Sequence, residues 1–342
     1  MADSAKTRVG FIGFGYWGPN LARNIARHPE AQLAFICDID ESNRKRAAMQ
    51  YPDVRVTDNS SSILADDDID AVIIATPAGT HDFLVKAALV AGKHVLVTKP
   101  VSTSSTSARS MTALAASSKK TLLVDHTFLY SNAVESLKEI LDSGVLGKPL
   151  YYDATRTGLG IFKNDVDVIA DLAVHDMAIV DFLFDERPVS VSAVSAASIS
   201  GHLPSLAYVN FNYSSGLHVH MAANWISPIK QRKIIIAGSE QMLCWDDAQR
   251  NHALCVYNSG VFESLEPVVA GRAPLNYRSG EPRPVELLTK EALASEVDDF
   301  IASIRENRQP RSDGNSATRV MQMAEAAGLS ARQGGKPINL NW

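Results

Sequence analysis

The stretch Arg8-Val9-Gly10-Phe11-Ile12-Gly13-Phe14-Gly15-Tyr16-Trp17-Gly18 decides the fold of the first part of this chain. Its apolar first half predicts a β-strand, and Trp17–His28 has the apolar spacing of a helix. A Gly-x-Gly-x-x-Gly sequence between a strand and a helix is typical of a dinucleotide-binding turn. Gly13 permits the tight turn, Gly15 lets the backbone approach a pyrophosphate, and Gly18 lets the helix pack on the strand. All six residues of the motif are therefore candidate cofactor contacts.

Around this motif, short β-branched runs alternate with helical patterns over the first 126 residues. Such alternation predicts βαβ units and a parallel sheet. Continuous apolar runs such as Ala71–Ala75 are typical of strands that are covered on both faces. Together with the glycine motif, the pattern predicts an N-terminal Rossmann domain.

The pattern changes after about Asp125. Helical segments are followed by alternating polar and apolar runs, among them Leu206–Tyr213 and Leu217–Trp225, which predict a mostly antiparallel sheet with one solvated face. The second part is therefore expected to be an α+β domain with an open sheet. At about 150 residues per domain, a chain of 342 residues allows roughly two domains. We place them at residues 1–125 and 126–342.

The composition is that of an ordinary globular protein, since 46% hydrophobic residues can fill a sizeable core. A formal net charge of -5 is the wrong sign for a phosphate-backbone binder, so nucleic acid is not an expected partner. No apolar stretch approaches the roughly 18 residues of a membrane span, so we expect no membrane partner and a cytoplasmic location. The 3 cysteines form no Cys-x-x-Cys pair, so neither a disulfide framework nor a cysteine zinc site is indicated.

An acidic residue follows the second predicted strand, Ala31–Cys37. Asp38 lies twenty residues after Gly18, where a carboxylate accepts hydrogen bonds from the adenosine ribose hydroxyls of a dinucleotide. The same charge repels a ribose 2′-phosphate, so NAD is the expected cofactor. Arg44 and Arg46 on the following helix could approach a phosphate, which leaves NADP as an alternative.

Two further strand ends carry candidate residues. Ligands of doubly wound sheets lie beyond the carboxyl ends of the strands, which places Thr76, Pro77 and His81 near the cofactor. His81 is also compatible with an ordinary helix start. Lys99 follows the strand His94–Val97 at the same edge, where a lysine can serve as the general base that takes a hydroxyl proton. An exposed lysine after a strand is the common alternative.

Asp171 and His175 are four residues apart on a predicted helix, Ile169–Phe184, so we expect them on one face. There they could share a proton path or bind one polyhydroxy substrate. A surface pair and two metal ligands are the alternatives, but no third ligand set is visible and no metal is expected. Arg156 is a candidate for binding a substrate carboxylate or diphosphate, with a structural salt bridge as the alternative.

Together these residues resemble the glucose–fructose oxidoreductase/inositol dehydrogenase (Gfo/Idh/MocA) family over essentially the whole chain. The resemblance is carried by Gly13–Gly18, Thr76-Pro77 with His81, the Lys-Pro at Lys99, and Asp171–His175. It implies a Rossmann domain followed by an α/β domain with an open sheet. It also implies a site between the domains, where the lysine and the histidine act on a sugar or cyclitol hydroxyl.

Longer segments narrow the resemblance. Val124–Ser131, Arg156–Phe162 and Asp171–Asp176 are similar to the branch of the family found with nucleotide-sugar and polysaccharide pathways. This similarity implies hydride transfer between NAD and a secondary hydroxyl or ketone of a nucleotide-linked sugar. We therefore expect the nicotinamide to lie near Thr76, Pro77, Lys99 and His126, and Asp171 to orient His175.

Two positions depart from the family's pattern. Thr98 stands where the family usually has Glu, which removes a carboxylate beside Lys99, and Ala173 replaces the usual Gly. A free-sugar or inositol dehydrogenase therefore stays open as an alternative. A second alternative is a non-catalytic sensor that binds a dinucleotide.

The resemblance also implies a homodimer or homotetramer that assembles through the second sheet. The alternating segment with Val219, Met221 and Trp225 has an apolar face, which belongs either to such an interface or to one side of a core. The other expected partner is a small molecule, a sugar or nucleotide-sugar.

Overall fold

The computed structural model describes residues 6–160, 162–164, 166–249, 253–263 and 275–342. The chain divides into two compact units. Unit 1 comprises Met1–Ser131 and Lys290–Met321, and unit 2 comprises Asn132–Thr289 and Gln322–Trp342. The segment Lys290–Met321 was expected in the second domain and belongs instead to the first unit.

Unit 1 is built on a parallel sheet. Its strands among the described residues are β1 (Thr7–Ile12), β2 (Ala31–Cys37), β3 (Arg55–Thr57), β4 (Ala71–Ile74), β5 (His94–Thr98) and β6 (Leu122–Asp125). They lie in the order β3-β2-β1-β4-β5-β6, and every neighbouring pair is parallel. This is the doubly wound order of the Rossmann fold, whose strand order reverses between β1 and β4. The prediction of an N-terminal Rossmann sheet is confirmed.

Helices cover this sheet, so its strands are buried in the core of unit 1. The helices of the first segment are α1 (Gly18–Arg27), α2 (Glu41–Gln50), α3 (Ser61–Leu64), α4 (His81–Val90) and α5 (Ser105–Ser118). Every residue of β4 is fully buried, as expected for an apolar strand between two helical layers. A polar side chain sets the start of α2, where the Asp40 carboxylate accepts the backbone N–H of Ser42 at 2.7 Å.

Unit 2 holds a mostly antiparallel sheet, as predicted. Its elements among the described residues are α6 (Asn132–Asp142), β7 (Pro149–Leu159), α7 (Val174–Leu183), β8 (Ser190–Ala196), β9 (Leu206–Asn212), β10 (His218–Asn224), β11 (Ile226–Gly238), β12 (Met242–Asp246), β13 (Leu254–Tyr257), β14 (Gly260–Glu263), β15 (Leu275–Arg278) and β16 (Pro282–Pro284). A larger sheet orders the strands β16-β13-β12-β11-β7-β10-β9-β8, and β14 pairs with β15 separately. The pair β10 and β7 is parallel.

The C-terminal segment contains α8 (Ala292–Glu306), α9 (Gly314–Arg332) and β17 (Ile338–Asn339), which adds to the edge of the larger sheet beside β8. Leu293, Val297 and Phe300 of α8 recur at helical spacing and are buried. Just before α8, Glu291 forms an ion pair with Arg23 of α1 at 2.6 Å. This apolar face and its ion pair explain why α8 belongs to unit 1, because both need partners on that unit.

The alternation in β10 separates a core face from an open face. Val219, Met221 and Trp225 are buried, so the apolar face expected either at an interface or in a core belongs to the core of unit 2. The opposite face carries Tyr208 of β9 and His220 of β10, whose rings stack with centroids 6.3 Å apart. In the described part of the chain, no helix is long and apolar enough to span a membrane, and no cluster of three metal-binding side chains occurs.

Candidate functional site

The glycine turn after β1 has the geometry that a dinucleotide requires. Gly13 has φ +97°, and a Cβ there would lie 2.5 Å from the Ala75 carbonyl oxygen. A Cβ on Gly18 would lie 2.4 Å from the Gly13 carbonyl oxygen, so helix α1 can start this close to β1 only with glycine. A Cβ on Gly15 would meet no heavy atom within 4 Å, which leaves that face of the turn open to a ligand. The residues present therefore fit a dinucleotide pyrophosphate.

Arg46 of α2 holds the same turn from the other side. Its guanidinium donates hydrogen bonds to the carbonyl oxygens of Phe14 and Gly15, the second at 3.0 Å, and lies 5.3 Å from the centre of the Phe14 ring. A peptide whose carbonyl is held on one side presents its N–H on the other. The sequence suggested Arg46 as a partner of a phosphate, whereas its contacts are to the backbone of the turn.

The Asp38 carboxylate lies directly behind the glycine turn. It accepts hydrogen bonds from the backbone N–H of Phe14 at 2.5 Å and of Asp40 at 2.8 Å, and from the Asn43 amide at 3.2 Å. A carboxylate has about four acceptor sites, so one remains for a ribose hydroxyl. The predicted role of Asp38 toward the adenosine ribose stays a prediction, and the structure adds a second task, that of ordering the turn.

Replacing Asp38 by serine is expected to change cofactor preference. Removal of the carboxylate abolishes its repulsion of a ribose 2′-phosphate, which should raise the ratio of NADPH to NADH affinity by about tenfold. The measurement is the dissociation constant of each nucleotide from fluorescence titration. Asp40→Ser is the matched control, because Asp40 is exposed and caps α2. An unchanged ratio in Asp38→Ser would contradict the role of this carboxylate in selectivity.

His81 connects two strand ends through its two ring nitrogens. Its ring is 1% exposed, with Nδ1 at 2.9 Å from the Pro100 carbonyl oxygen and Nε2 at 2.8 Å from that of Thr76. Burial lowers the pKa of His81, so the ring is neutral near pH 7 and donates to one carbonyl at a time. Both ring nitrogens thus contact the backbone, and the position of His81 near the cofactor stays a prediction. Thr76 lies at the carboxyl edge of β4, where its hydroxyl is 2.7 Å from that of Thr80.

Lys99 follows β5 at the carboxyl edge of the sheet and is half-buried. The Lys99-Pro100 peptide bond is cis. Because His81 contacts the Pro100 carbonyl, the backbone directly after Lys99 is tied to the strand end that carries Thr76 and Pro77. These predicted residues therefore come together within unit 1. His126 follows β6 at the same edge of the sheet and is buried.

In unit 2, Asp171 and His175 lie on a helix that is not regular. Ile169–Ala173 winds as a π-helix, shown by the Val174 N–H that reaches the Ile169 carbonyl, and α7 continues it. Four residues therefore span less than one turn here, whereas they would span slightly more than one in the α-helix that was expected. Wide turns of this kind occur frequently at functional sites.

The Asp171 carboxylate has two partners that the sequence did not indicate. Lys163 donates to one oxygen at 2.6 Å, and the Trp225 indole N–H donates to the other at 3.2 Å. Lys163 remains partly exposed, whereas Asp171 is buried. No periodicity or motif in the sequence marks Lys163 as a partner of Asp171. The candidate site residues of unit 2 thus include Lys163 beside Asp171.

Arg156 forms a buried ion pair with Asp176, so its guanidinium is not directed at a substrate anion. Its Nε and one terminal nitrogen donate to the two Asp176 oxygens at 2.9 and 2.8 Å. The two side chains are only 6% and 3% exposed. The structure therefore favours the alternative of a structural salt bridge over substrate binding by Arg156.

Comparison with known proteins identifies the same two parts of the chain, a Rossmann domain and a C-terminal domain. Residues 7–126 match the oxidoreductase family with an NAD-binding Rossmann fold, and residues 134–244 match the GFO/IDH/MocA C-terminal domain. UDP-N-acetylglucosamine 3-dehydrogenase of Acidithiobacillus ferrooxidans is 29% identical over 322 residues, which are 93% of this chain and 95% of that enzyme. A solved structure of that enzyme is 26% identical, with a TM-score of 0.80 over 95% of this chain and 98% of the other.

A second kind of relative covers less of the chain. Inositol 2-dehydrogenase of Acidothermus cellulolyticus is 33% identical over 199 residues, which are 57% of this chain and 58% of that enzyme. Both relatives are dehydrogenases, and the two regions matched to the family fall one in each unit. Because these regions belong to one and the same family, the chain is a member of the Gfo/Idh/MocA oxidoreductases.

Proposed function

We propose that this chain is an NAD-dependent dehydrogenase that transfers hydride between nicotinamide and a secondary hydroxyl or ketone of a nucleotide-linked sugar. The observation that carries the proposal is Lys99 at the carboxyl edge of a Rossmann sheet whose glycine turn fits a dinucleotide. The relative that acts on UDP-N-acetylglucosamine supports the substrate class, because the similarity extends over nearly the whole chain.

Lys99 manages the proton in this proposal. A secondary alcohol loses hydride only as its hydroxyl proton leaves, so a base must lie within hydrogen-bond reach of that oxygen. Bound nicotinamide supplies the hydride acceptor. Lys99 takes the hydroxyl proton in the oxidation and returns it in the reduction. The contact of His81 with the Pro100 carbonyl holds the backbone after Lys99 and thereby restricts where its amino group, the base in its neutral form, can lie.

The residues of unit 2 bind and orient the substrate. His175 shares the proton of the reacting hydroxyl or holds a neighbouring one, as a neutral imidazole can both accept and donate a hydrogen bond. One Asp171 carboxylate oxygen lies 2.6 Å from the Lys163 ammonium nitrogen. Because Lys163 is partly exposed, it can also meet an anionic group of the substrate, and this favours a nucleotide-linked sugar over a neutral polyol.

His175→Ala is expected to lower kcat by about 10²-fold, since a group that shares or positions the proton contributes at least that much. The measurement is NADH formation with a substrate that the wild-type chain oxidises. His28→Ala is the matched control, because His28 follows the last residue of α1, at the opposite end of that helix from the glycine turn, and its ring lies 3.3 Å from Asp298. Equal turnover of the two variants would remove His175 from the proposed chemistry.

A free-sugar or inositol dehydrogenase is the second candidate, favoured by the inositol 2-dehydrogenase relatives and by the withdrawal of Arg156 from anion binding. A screen of UDP-sugars, dTDP-sugars and free polyols with NAD and NADP decides between the two. Turnover of a nucleotide-linked sugar with NAD is the expected result. Turnover of free polyols alone would support the second candidate, and NADH binding without turnover of any of them would support a sensor.

We also propose a cytoplasmic enzyme that works as a homodimer or homotetramer. The open face of the larger sheet supports assembly there, because it exposes Tyr151 and Tyr208 beside the polar pair of His220 and Asp153. Size-exclusion chromatography with light scattering tests this proposal. A monomer at micromolar concentration would contradict it.

A further inference from the structure

The side chain of Trp17 connects the glycine turn to β6, the strand at one edge of the sheet. The Trp17 indole N–H donates a hydrogen bond to Asp125 at 2.6 Å. Asp125 ends β6, and β4 and β5 lie between β6 and the strand that precedes the turn. The partly exposed Trp17 therefore spans the carboxyl edge of the sheet, where ligands of this fold lie.

Asp125 is itself held in place. Its side chain is 3% exposed, and the oxygen that does not accept from Trp17 accepts from Thr127, both from its backbone N–H at 3.2 Å and from its hydroxyl. A buried carboxylate is stable only where hydrogen bonds replace its lost water. The Trp17 indole is one of these bonds, so the position of the turn and the ordering of Asp125 depend on each other.

A second buried carboxyl group lies on α8 and neighbours Asp125. Glu296 is fully buried, and neither of its carboxyl oxygens accepts a hydrogen bond from a described residue. Its pKa is raised well above the ordinary value by burial and then by the Asp125 carboxylate, with Asp299 adding to the effect. Two adjacent buried carboxyl groups cannot both be ionised without great cost, so Glu296 keeps its proton. A neutral Glu296 has an O–H to offer its charged neighbour.

We propose that Glu296 and Asp125 are positioning residues for dinucleotide binding, which act by holding Trp17 and through it the glycine turn. Glu296 stabilises the Asp125 carboxylate, Asp125 anchors the indole, and the indole fixes the second half of the turn beside the open face at Gly15. This inference rests on the proposed dinucleotide site. It assigns a binding role to a glutamate more than 270 residues distant in the chain from the turn.

The test is NADH affinity, measured by fluorescence titration of the purified full chain. Trp17→Phe keeps an aromatic ring but removes the N–H, and it should weaken NADH binding about tenfold, as expected for one hydrogen bond to a charged group. Glu296→Leu should weaken binding similarly. Glu296→Gln should bind NADH within about twofold of wild type, because the amide still offers a donor to Asp125.

The double variant Trp17→Phe/Glu296→Leu shows whether the two residues act together through Asp125 or weaken NADH binding independently. If both residues act through Asp125, the double variant should bind NADH no more weakly than the weaker single variant, a non-additivity typical of coupled residues. Trp342→Phe is the matched control, since it removes an indole hydrogen bond, to the Pro188 carbonyl at 2.8 Å, in unit 2. It should bind NADH like the wild type.

Three outcomes overturn the inference. Wild-type affinity in Trp17→Phe would show that the indole bond does not position the turn. Additive losses in the double variant would show that Glu296 and Trp17 act separately. If Glu296→Leu does not fold, equal weakening by Glu296→Gln and Trp17→Phe would show that a neutral donor is not what Asp125 requires. Failure of the wild-type chain to bind NADH would overturn the proposed function as well, which the other outcomes leave intact.

Discussion

Replacing Lys99 by alanine is expected to lower kcat by about 10²–10⁴-fold, the usual contribution of a general base, while the affinity for NADH stays within about threefold. The alcohol cannot release hydride unless its proton is accepted, and no other group on the described edge of unit 1 is proposed to accept it. NADH formation with a substrate found in the screen, together with NADH titration, measures both quantities.

Two further variants make this expectation specific. Lys86→Ala is the matched control, because Lys86 lies on the surface of α4 and pairs with Asp82 at 2.7 Å. It should leave kcat unchanged. Lys99→Arg keeps the positive charge but cannot give up its proton near neutral pH, so it should be nearly as inactive as Lys99→Ala. Wild-type turnover by Lys99→Ala would contradict the proposed base, and full activity of Lys99→Arg would mean that charge alone suffices.

Arg156→Met is expected to destabilise unit 2 by about 3–5 kcal/mol, the range found when one partner of a buried ion pair is removed. The Asp176 carboxylate would remain 3% exposed without the two hydrogen bonds that now compensate its lost hydration. Methionine fills much of the arginine's volume, so the loss reflects the unpaired charge more than a cavity. Urea-induced unfolding followed by circular dichroism gives the change in the free energy of unfolding.

The partner substitution and a surface pair test the cause of this loss. Arg156→Met/Asp176→Leu removes both charges and should recover much of the lost stability, because no buried charge is left unpaired. Arg232→Met is the matched control, since Arg232 pairs with Asp247 at 2.9 Å with side chains 37% and 40% exposed. It should cost less than about 1 kcal/mol. Normal stability with a raised KM in Arg156→Met would instead restore Arg156 as a substrate contact.

The glycine motif was predictable because its chemistry is local. Gly13, Gly15 and Gly18 follow a strand and open a helix, so one short stretch of chain contains the glycines that the turn requires. Lys99 was predictable for a related reason, since a residue directly after a parallel strand must lie at the carboxyl edge of its sheet.

The environment of the other candidates was less predictable. His81 was found by its motif, but whether its ring faces a ligand or two backbone carbonyls depends on where the Pro100 segment folds. Asp171 and His175 were found by spacing that assumed a regular helix. The π turn at Ile169–Ala173 has no signature in apolar periodicity, so the geometry between the two residues differs from the one that was assumed.

By itself the sequence determined the class of this protein: a Rossmann sheet with a dinucleotide turn, a lysine at its edge and a second unit with an open sheet. These features follow from short-range pattern, because strands, helices and turns are each encoded by neighbouring residues. Only the tertiary structure decided which partners the charged residues take. Arg156 pairs with Asp176, Lys163 with Asp171, and Asp125 with the Trp17 indole. The physical reason is that a buried charge is stabilised by whichever group folding brings to it, and sequence distance carries no information about that group.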